Sequence, residues 1–150
     1  MDKLIAFLIS MLPIVELRGG IIYAAARGVP FVTAFIICFL GNILPIPFIL
    51  VFIRKIFSFL ERFKYTKNIV KKLENRASAK SDKIRTYQLL GLFLFVAIPL
   101  PGTGAWTGAL IAAFLDMQIK KSFSAIAAGV LCAGIIMSVL SYLIPGLFFA

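Results

Sequence analysis

The stretch that decides the fold is "LPIVELRGGIIYAAA", residues 12–26, where two charged side chains interrupt an otherwise apolar run. Glu16 and Arg18 lie between Pro13 and the pair Gly19–Gly20. A charge at the centre of a bilayer costs about 3 kcal/mol on the insertion scale, and such charges are usually functional. The stretch therefore predicts a broken membrane segment that carries a functional acid and base.

Composition places the whole chain in the membrane class. Of its 150 residues 61% are hydrophobic, and the mean hydropathy is +1.02. Soluble domains are closer to half apolar. Because one helical span needs about 20 apolar residues, a chain of this length has room for about four apolar segments and one loop in a single domain. With no histidine, and with Cys38 and Cys132 inside apolar runs, we expect neither a metal site nor a cofactor.

The net charge of +10 is concentrated in one loop. Residues 54–85 contain eleven basic and three acidic side chains, a net of +8. Short loops rich in Lys and Arg stay in the cytoplasm. Apolar residues recur there at roughly helical spacing, which predicts an amphipathic helix on anionic lipid headgroups. Membrane lipids are therefore the expected partners of this loop, and nucleic acid is not.

The apolar segments alternate between broken and uninterrupted. They are residues 4–26 (broken), 31–53 (uninterrupted), 89–115 (broken) and 122–144 (uninterrupted). A shift of 88 residues superposes Pro13 on Pro101, Gly20 on Gly108 and Gly41 on Gly129. This coincidence predicts an internal repeat of the transporter type. Repeat 1 spans residues 1–53, a basic linker residues 54–87, and repeat 2 residues 88–150.

Each broken segment has two interpretations. It is either a re-entrant hairpin of two half-length helices or one kinked span of about 24 residues. Hairpins make each repeat cross the bilayer an odd number of times, so the repeats are inverted and the hairpin tips meet near the midplane. Lys120 and Lys121 are then cytoplasmic, as the charge rule prefers, whereas four full spans place them outside.

We therefore expect an all-α integral membrane protein of two inverted repeats. Each repeat is a re-entrant helical hairpin plus a transmembrane helix, and a basic amphipathic cytoplasmic helix joins the two. The predicted hairpin breaks are Pro13, Gly19, Gly20, Pro99, Pro101, Gly102, Gly104 and Gly108. Irregular backbone at membrane depth needs protein or a watery cavity around it, so a polar cavity is expected at the centre.

The breaks also contain the candidate binding residues. These are Glu16, Arg18, Thr103, Trp106 and Thr107. Residues two apart on a helix point to nearly opposite sides, so either the backbone is unwound at Glu16 and Arg18 or each charge has its own partner. A mutual ion pair that stabilises the turn is the alternative to an ion or substrate site. Half-helices beginning near Gly19 and Thr107 would direct their positive dipole ends to the midplane, which favours an anionic guest. Glu16 is then the natural proton carrier.

The two motifs "LPIVELRGGIIYA" and "IPLPGTGAWTGALIA" resemble the putative small multi-drug export protein family, which is regarded as a branch of the DedA superfamily with the VTT-domain proteins. The resemblance implies two facing re-entrant hairpins, each followed by a span, and lipid-linked or proton-coupled transport. It carries Glu16 and Arg18 over as the acidic and basic residues of the first hairpin. DedA members proper resemble one another in having arginines around the second hairpin. Residues 95–106 contain none, so their lipid-phosphate substrate is not carried over.

The function expected from these features is that of a small secondary transporter or exporter in the cytoplasmic membrane. Its substrate is a small or lipid-like, anionic solute, protons are the expected coupling ion, and a homo-oligomer is the expected assembly. The alternative is a structural or accessory membrane protein that organises lipid or a partner. We do not expect an enzyme, because one deep carboxylate without histidine lacks the paired acid and base of such chemistry.

Overall fold

The computed structural model describes residues 1–60 and 82–144, and the described residues form helices without strands. The helices are α1 (Asp2–Met11), α2 (Glu16–Ala26), α3 (Phe31–Ile43), α4 (Ile46–Leu60), α5 (Asp82–Ala97), α6 (Ala105–Phe114) and α7 (Ile119–Leu143). The all-helical class is therefore as predicted. The amphipathic helix predicted in the basic linker lies mostly outside the described residues.

Two long apolar helices run through the structure. The first combines α3 and α4, which are separated only by a turn at residues 44 and 45. Leu44 keeps helical backbone angles (φ −55°, ψ −44°), and its N–H donates to Leu40 at 3.1 Å. Pro45 and Pro47 have no N–H to donate, which accounts for the interruption. Residues Phe31–Ile56 and the 25 residues of α7 are each long and apolar enough to cross a membrane.

The apolar side chains of these helices mostly face outward. In the most apolar part of each helix only 33% and 39% of the residues are buried inside the protein. Phe48 is 70% exposed, Phe52 65% and Ile135 48%. The core helix of a soluble protein would be largely buried instead. The outward faces therefore fit contact with lipid acyl chains.

The first broken segment folds back on itself. Asp2, the first residue of α1, accepts a hydrogen bond from the Tyr23 hydroxyl at 3.2 Å and lies 3.8 Å from Nε of Arg27. Because Arg27 directly follows α2, the start of α1 lies beside the end of α2. The two helices of 10 and 11 residues are each about 15 Å long, or about half the thickness of a bilayer core.

Both predicted breaks are present, but they are shorter than predicted. The first covers residues 12–15 and the second residues 98–104. They contain Pro13 in the first and Pro99, Pro101, Gly102 and Gly104 in the second. α2 begins at Glu16, three residues before Gly19, and α6 begins at Ala105, two residues before Thr107. Of the two alternatives for Glu16 and Arg18, unwound backbone does not hold at Arg18, which is helical.

Gly19, Gly20 and Gly108 are helical residues, which corrects their assignment to the breaks. The physical reason is close packing. A Cβ atom on Gly20 would lie 2.9 Å from the Ala6 carbonyl oxygen, and one on Gly108 would lie 2.7 Å from a methyl of Val96. These glycines let helices approach each other.

Two further glycines mark where the helix before each break crosses a long helix. A Cβ atom on Gly41 of α3 would lie 3.2 Å from side-chain atoms of both Phe7 and Ser10 of α1. A Cβ atom on Gly129 of α7 would lie 2.8 Å from Cβ of Val96 of α5. Close approach at small residues is the usual way in which membrane helices associate. The two crossings hold α1 on α3 and α5 on α7.

We predict that the substitutions G41A and G129A each lower the free energy of unfolding by about 1–3 kcal/mol, the usual cost of overpacking a filled site. The measurement is a denaturant titration of the purified protein in detergent micelles. G91A is the matched control, because a Cβ atom on Gly91 meets no other atom within 4 Å. Equal stability of G41A and G91A would contradict the proposed crossing.

Candidate functional site

Glu16 lies at the centre of the protein and binds the start of α6. Glu16 is only 5% exposed to solvent. The carboxylate accepts hydrogen bonds from the backbone N–H of Ala105 at 3.3 Å and of Trp106 at 3.0 Å. These are the first two residues of α6, and the N-terminus of a helix favours negative charge. Glu16 therefore occupies an anion site made by another part of the chain.

The backbone of Glu16 is in the left-handed region, with φ of 53°. This region is unfavourable for residues other than glycine, and residues held there often belong to functional sites. The conformation directs the chain from the break into α2 and directs the carboxylate across to α6. The contact between the Glu16 carboxylate and α6 therefore coincides with an unfavourable backbone conformation at Glu16.

Arg18 holds the loop between α5 and α6. Its guanidinium donates to the carbonyl oxygen of Leu100, to that of Ile98 at 3.2 Å and to that of Thr103 at 3.0 Å. It also lies 3.2 Å from the Thr103 hydroxyl. Ile98 directly follows α5, where the helix dipole is negative. Arg18 thus adds a charged donor to carbonyl groups outside the helices, of which those of Ile98 and Leu100 also accept hydrogen bonds from within the loop.

Glu16 and Arg18 do not form an ion pair with each other. Within the described ranges, the ion pairs closer than 4.0 Å are Arg27 with Asp2 and Arg54 with Asp116. Of the possibilities left open by the sequence, each charge therefore has its own partner. Arg18 binds backbone carbonyls of the second break and Glu16 binds the first amides of α6, in each case at least 80 positions away along the chain.

The other three predicted residues behave differently from one another. The Thr103 hydroxyl donates within its own loop, at 2.7 Å from the Ile98 carbonyl oxygen. The Trp106 indole N–H donates to the carbonyl oxygen of Met11 at 3.1 Å, at the end of α1. Thr107 is half-buried in the first turn of α6 and does not line the central cavity. Thr103 and Trp106 therefore contact the two charges through Arg18 and Glu16, whereas no contact of Thr107 with either charge is seen among the described residues.

A small cavity of about 10 Å³ lies beside the two charges. Its lining combines α2, α3, the second break and the helices around it: Glu16, Leu17, Arg18, Asn42, Val96, Gly104, Ala105, Val130 and Ala133. This is about the room that one water molecule needs. Three of its nine lining residues are polar or charged, so the cavity is mainly apolar, and the polar central cavity expected from the sequence stays a prediction.

Asn42 is the functional candidate that the sequence analysis missed. It is 2% exposed, it lines the cavity, and its side-chain oxygen has no hydrogen-bond partner. Buried polar groups are nearly always paired, so an orphan acceptor beside a carboxylate needs an explanation. A single amide in an uncharged apolar span was the available signal. No cluster of three metal-ligating side chains occurs in the part of the chain that the structure describes.

Comparison with known families identifies the group to which the chain belongs. Residues 16–136 match the family described as "Putative small multi-drug export protein". The chain belongs to this family. The matched region begins at Glu16 and includes both charges, the second break and most of α7. Searches among curated proteins and among solved structures gave no match.

Membership in an export family supports a transport function for the chain. Together with the two long apolar helices, it identifies a membrane protein. The family description names no substrate residue and no coupling ion. The geometry of Glu16 and Arg18 is therefore the basis for a more specific proposal about this member of the export family.

We predict that R18M lowers the free energy of unfolding by about 2–4 kcal/mol, because it leaves the carbonyls of the second break without their charged donor. R27M is the matched control. The Arg27 side chain is 59% exposed, and its contact with Asp2 is an exposed ion pair of the kind that contributes little. Denaturant titration in micelles compares the two variants. Equal losses in both would show that Arg18 does not hold the break.

Proposed function

We propose that the protein is a small secondary transporter that moves a small or lipid-like anionic solute across the cytoplasmic membrane, coupled to protons. The observation that carries this proposal is the Glu16 carboxylate, which is almost fully buried and bound to the first amides of α6. Charges at this depth in membrane proteins usually mark substrate or proton pathways. Membership in an export family supports the same class of function.

Helix boundaries support the internal repeat on which this proposal rests. Adding 88 to Glu16, where α2 begins, gives position 104, and α6 begins at Ala105. Adding 88 to the bounds of Phe31–Ile56 gives 119–144, and α7 is Ile119–Leu143. α2 packs against α7, and in the same way α6 packs against α4. Each repeat therefore has the same order of helices and packs against the long helix of the other.

The packing of α1 on α2 supports a re-entrant hairpin. A segment that crossed the bilayer once would place Asp2 and Arg27 on opposite sides, whereas these side chains lie 3.8 Å apart. We propose that the second broken segment is also re-entrant. Each repeat then crosses an odd number of times, so the two repeats are inverted. The basic residues between α4 and α5 place that loop in the cytoplasm.

A labelling experiment tests this topology. Single cysteines replace Lys3, Arg27 or Gln118 in a variant without Cys38 and Cys132, and a membrane-impermeant thiol reagent is added to intact cells. With inverted hairpins, positions 3 and 27 react from outside and position 118 reacts only after the cells are opened. With four full spans, positions 3 and 118 exchange these outcomes and position 27 is unchanged, so it serves as the internal control.

The preference for an anionic solute follows from the carboxylate that the first amides of α6 already bind. The amides of Ala105 and Trp106 hold a carboxylate, so a carboxylate or phosphate of a solute offers them the same chemistry. When Glu16 takes up a proton it loses the charge that favours the helix N-terminus. The amides then become open to the anion of the solute. Proton and anion would therefore move in the same cycle.

We predict that E16Q strongly slows coupled transport while D116N does not. Purified protein is reconstituted into vesicles that enclose a pH-sensitive dye. Decyl phosphate, decyltrimethylammonium and decanol are added outside, since they share an apolar chain and differ in the charge of the head group. We expect decyl phosphate to drive proton entry, and E16Q to slow this entry by about tenfold or more. Asp116 is an exposed acid, so its amide variant controls for loss of one charge.

Unchanged proton entry in E16Q would contradict the role given to Glu16, and entry driven by the cation would contradict the anion preference. The accessory function has one observation in its favour, because Arg18 holds a carbonyl of the second break and Glu16 holds an amide of the first turn of α6. If that is their whole function, wild-type vesicles respond to none of the three probes, and loss of the charges affects only stability.

A further inference from the structure

The repeat places a glycine opposite the central acid. Position 104 is Gly104, and 104 − 16 = 88, so Gly104 is the counterpart of Glu16 in the second repeat. By the same shift Trp106 is the counterpart of Arg18. The first repeat therefore has an acid and a base at the two positions where the second repeat has a glycine and a tryptophan. The geometry around these four positions explains the difference.

The two breaks exchange hydrogen bonds across the centre. Arg18, in the first turn of α2, donates to carbonyls of the second break, including that of Ile98 just after α5. Trp106, in the first turn of α6, donates to the carbonyl of Met11 at the end of α1. Arg18 therefore reaches from the helix after the first break to the end of the helix before the second break. Trp106 reaches in the opposite sense, from the helix after the second break to the end of the helix before the first. This reciprocal arrangement is what a local two-fold axis between the breaks would produce.

The carboxylate of Glu16 lies directly against Gly104, its counterpart position. A Cβ atom built on Gly104 would overlap the Glu16 carboxylate, and the carboxylate atoms are the three nearest to it. The backbone of Gly104 has φ of −94° and ψ of −170°, an extended conformation that any residue adopts. A side chain at position 104 is therefore excluded by the space that the Glu16 carboxylate occupies, and not by the backbone angles of Gly104.

We propose that the centre of the protein holds one carboxylate that either repeat can supply, and that Gly104 is the second attachment point for it. The proposal rests on the internal repeat of the proposed function. Two acids at these positions would compete for one space and repel each other, so the site accepts an acid from one repeat only. Gly104 is thus a positioning residue, whose missing side chain leaves room for Glu16.

Backbone angles favour an exchange of the two residues. A glycine at position 16 would relieve the left-handed conformation, in which φ is 53°. A glutamate at position 104 would enter an ordinary extended conformation. Its Cβ would lie where the Glu16 carboxylate lies now, so its own carboxylate would extend into the space that the Glu16 side chain vacates. The exchange therefore moves the acid from an unfavourable backbone position to a favourable one without moving the charge out of the site.

The test is a cycle of four proteins: wild type, E16G, G104E and E16G/G104E. Denaturant titration in micelles gives the folded-to-unfolded equilibrium constant, and decyl phosphate-driven proton entry into vesicles gives function. We expect G104E alone to lower the equilibrium constant by about tenfold or more, as overpacking does, and E16G alone to lose proton entry. E16G/G104E should recover both properties to within about threefold of wild type, because the sites are strongly coupled.

Two controls keep the result interpretable. E16G/G104Q has the same shape without the charge, so it should recover stability but not proton entry. G104A is a milder probe in case G104E does not fold: it should destabilise the wild type and have little effect in the E16G background. The proposal is overturned if the effects of E16G and G104E on stability simply add, or if E16G/G104Q transports as well as E16G/G104E.

Failure of this inference can be told apart from failure of the proposed function. If E16Q transports normally, the proton-coupled function is wrong, whereas the stability cycle still decides whether positions 16 and 104 share one space. If E16Q is inactive and E16G/G104E stays inactive and unstable, the transport function stands. The exchangeable carboxylate is then wrong.

Discussion

The constraint on which the structure depends is that a broken helix inside a membrane must find partners for its terminal N–H and C=O groups. Water cannot supply them in the hydrocarbon region, and each unsatisfied group costs several kcal/mol. Side chains in the first turns of α2 and α6 supply several of them here. Glu16 accepts from the start of α6, Arg18 donates to the loop after α5, and Trp106 donates to the end of α1. The two breaks therefore stabilise each other.

One consequence is that structure and chemistry share the same atoms. The Glu16 carboxylate that would carry a proton is also the group that holds the first amides of α6. Any change in its charge must therefore change how α6 is held. A transporter needs such a link between an ionisation and the position of a helix, because a ligand shifts a conformational equilibrium only through interactions that differ between the states.

Much of the fold could be predicted from periodicity, length and prolines, because helices at membrane depth must satisfy their own backbone. The exact starts of α2 and α6 could not, because glycine is typical both of helix breaks and of close helix contacts, and Gly20 and Gly108 are contact glycines inside helices. The partners of Glu16 and Arg18 were also beyond the sequence. They are backbone groups of distant residues, and no side-chain pattern identifies a carbonyl or an amide. Asn42 was overlooked because its role depends on a cavity that only the assembled helices form.

Holding the breaks together does not by itself explain why α2 presents ionisable groups. A glutamine could accept from the α6 amides, and Trp106 of α6 satisfies the carbonyl of Met11 with a neutral indole. A neutral donor is thus sufficient for a contact of this kind. Glu16 and Arg18 carry the insertion cost of two charges, which neutral groups would avoid. What a carboxylate offers beyond a glutamine is the exchange of a proton, and this is the property that a coupled transporter requires.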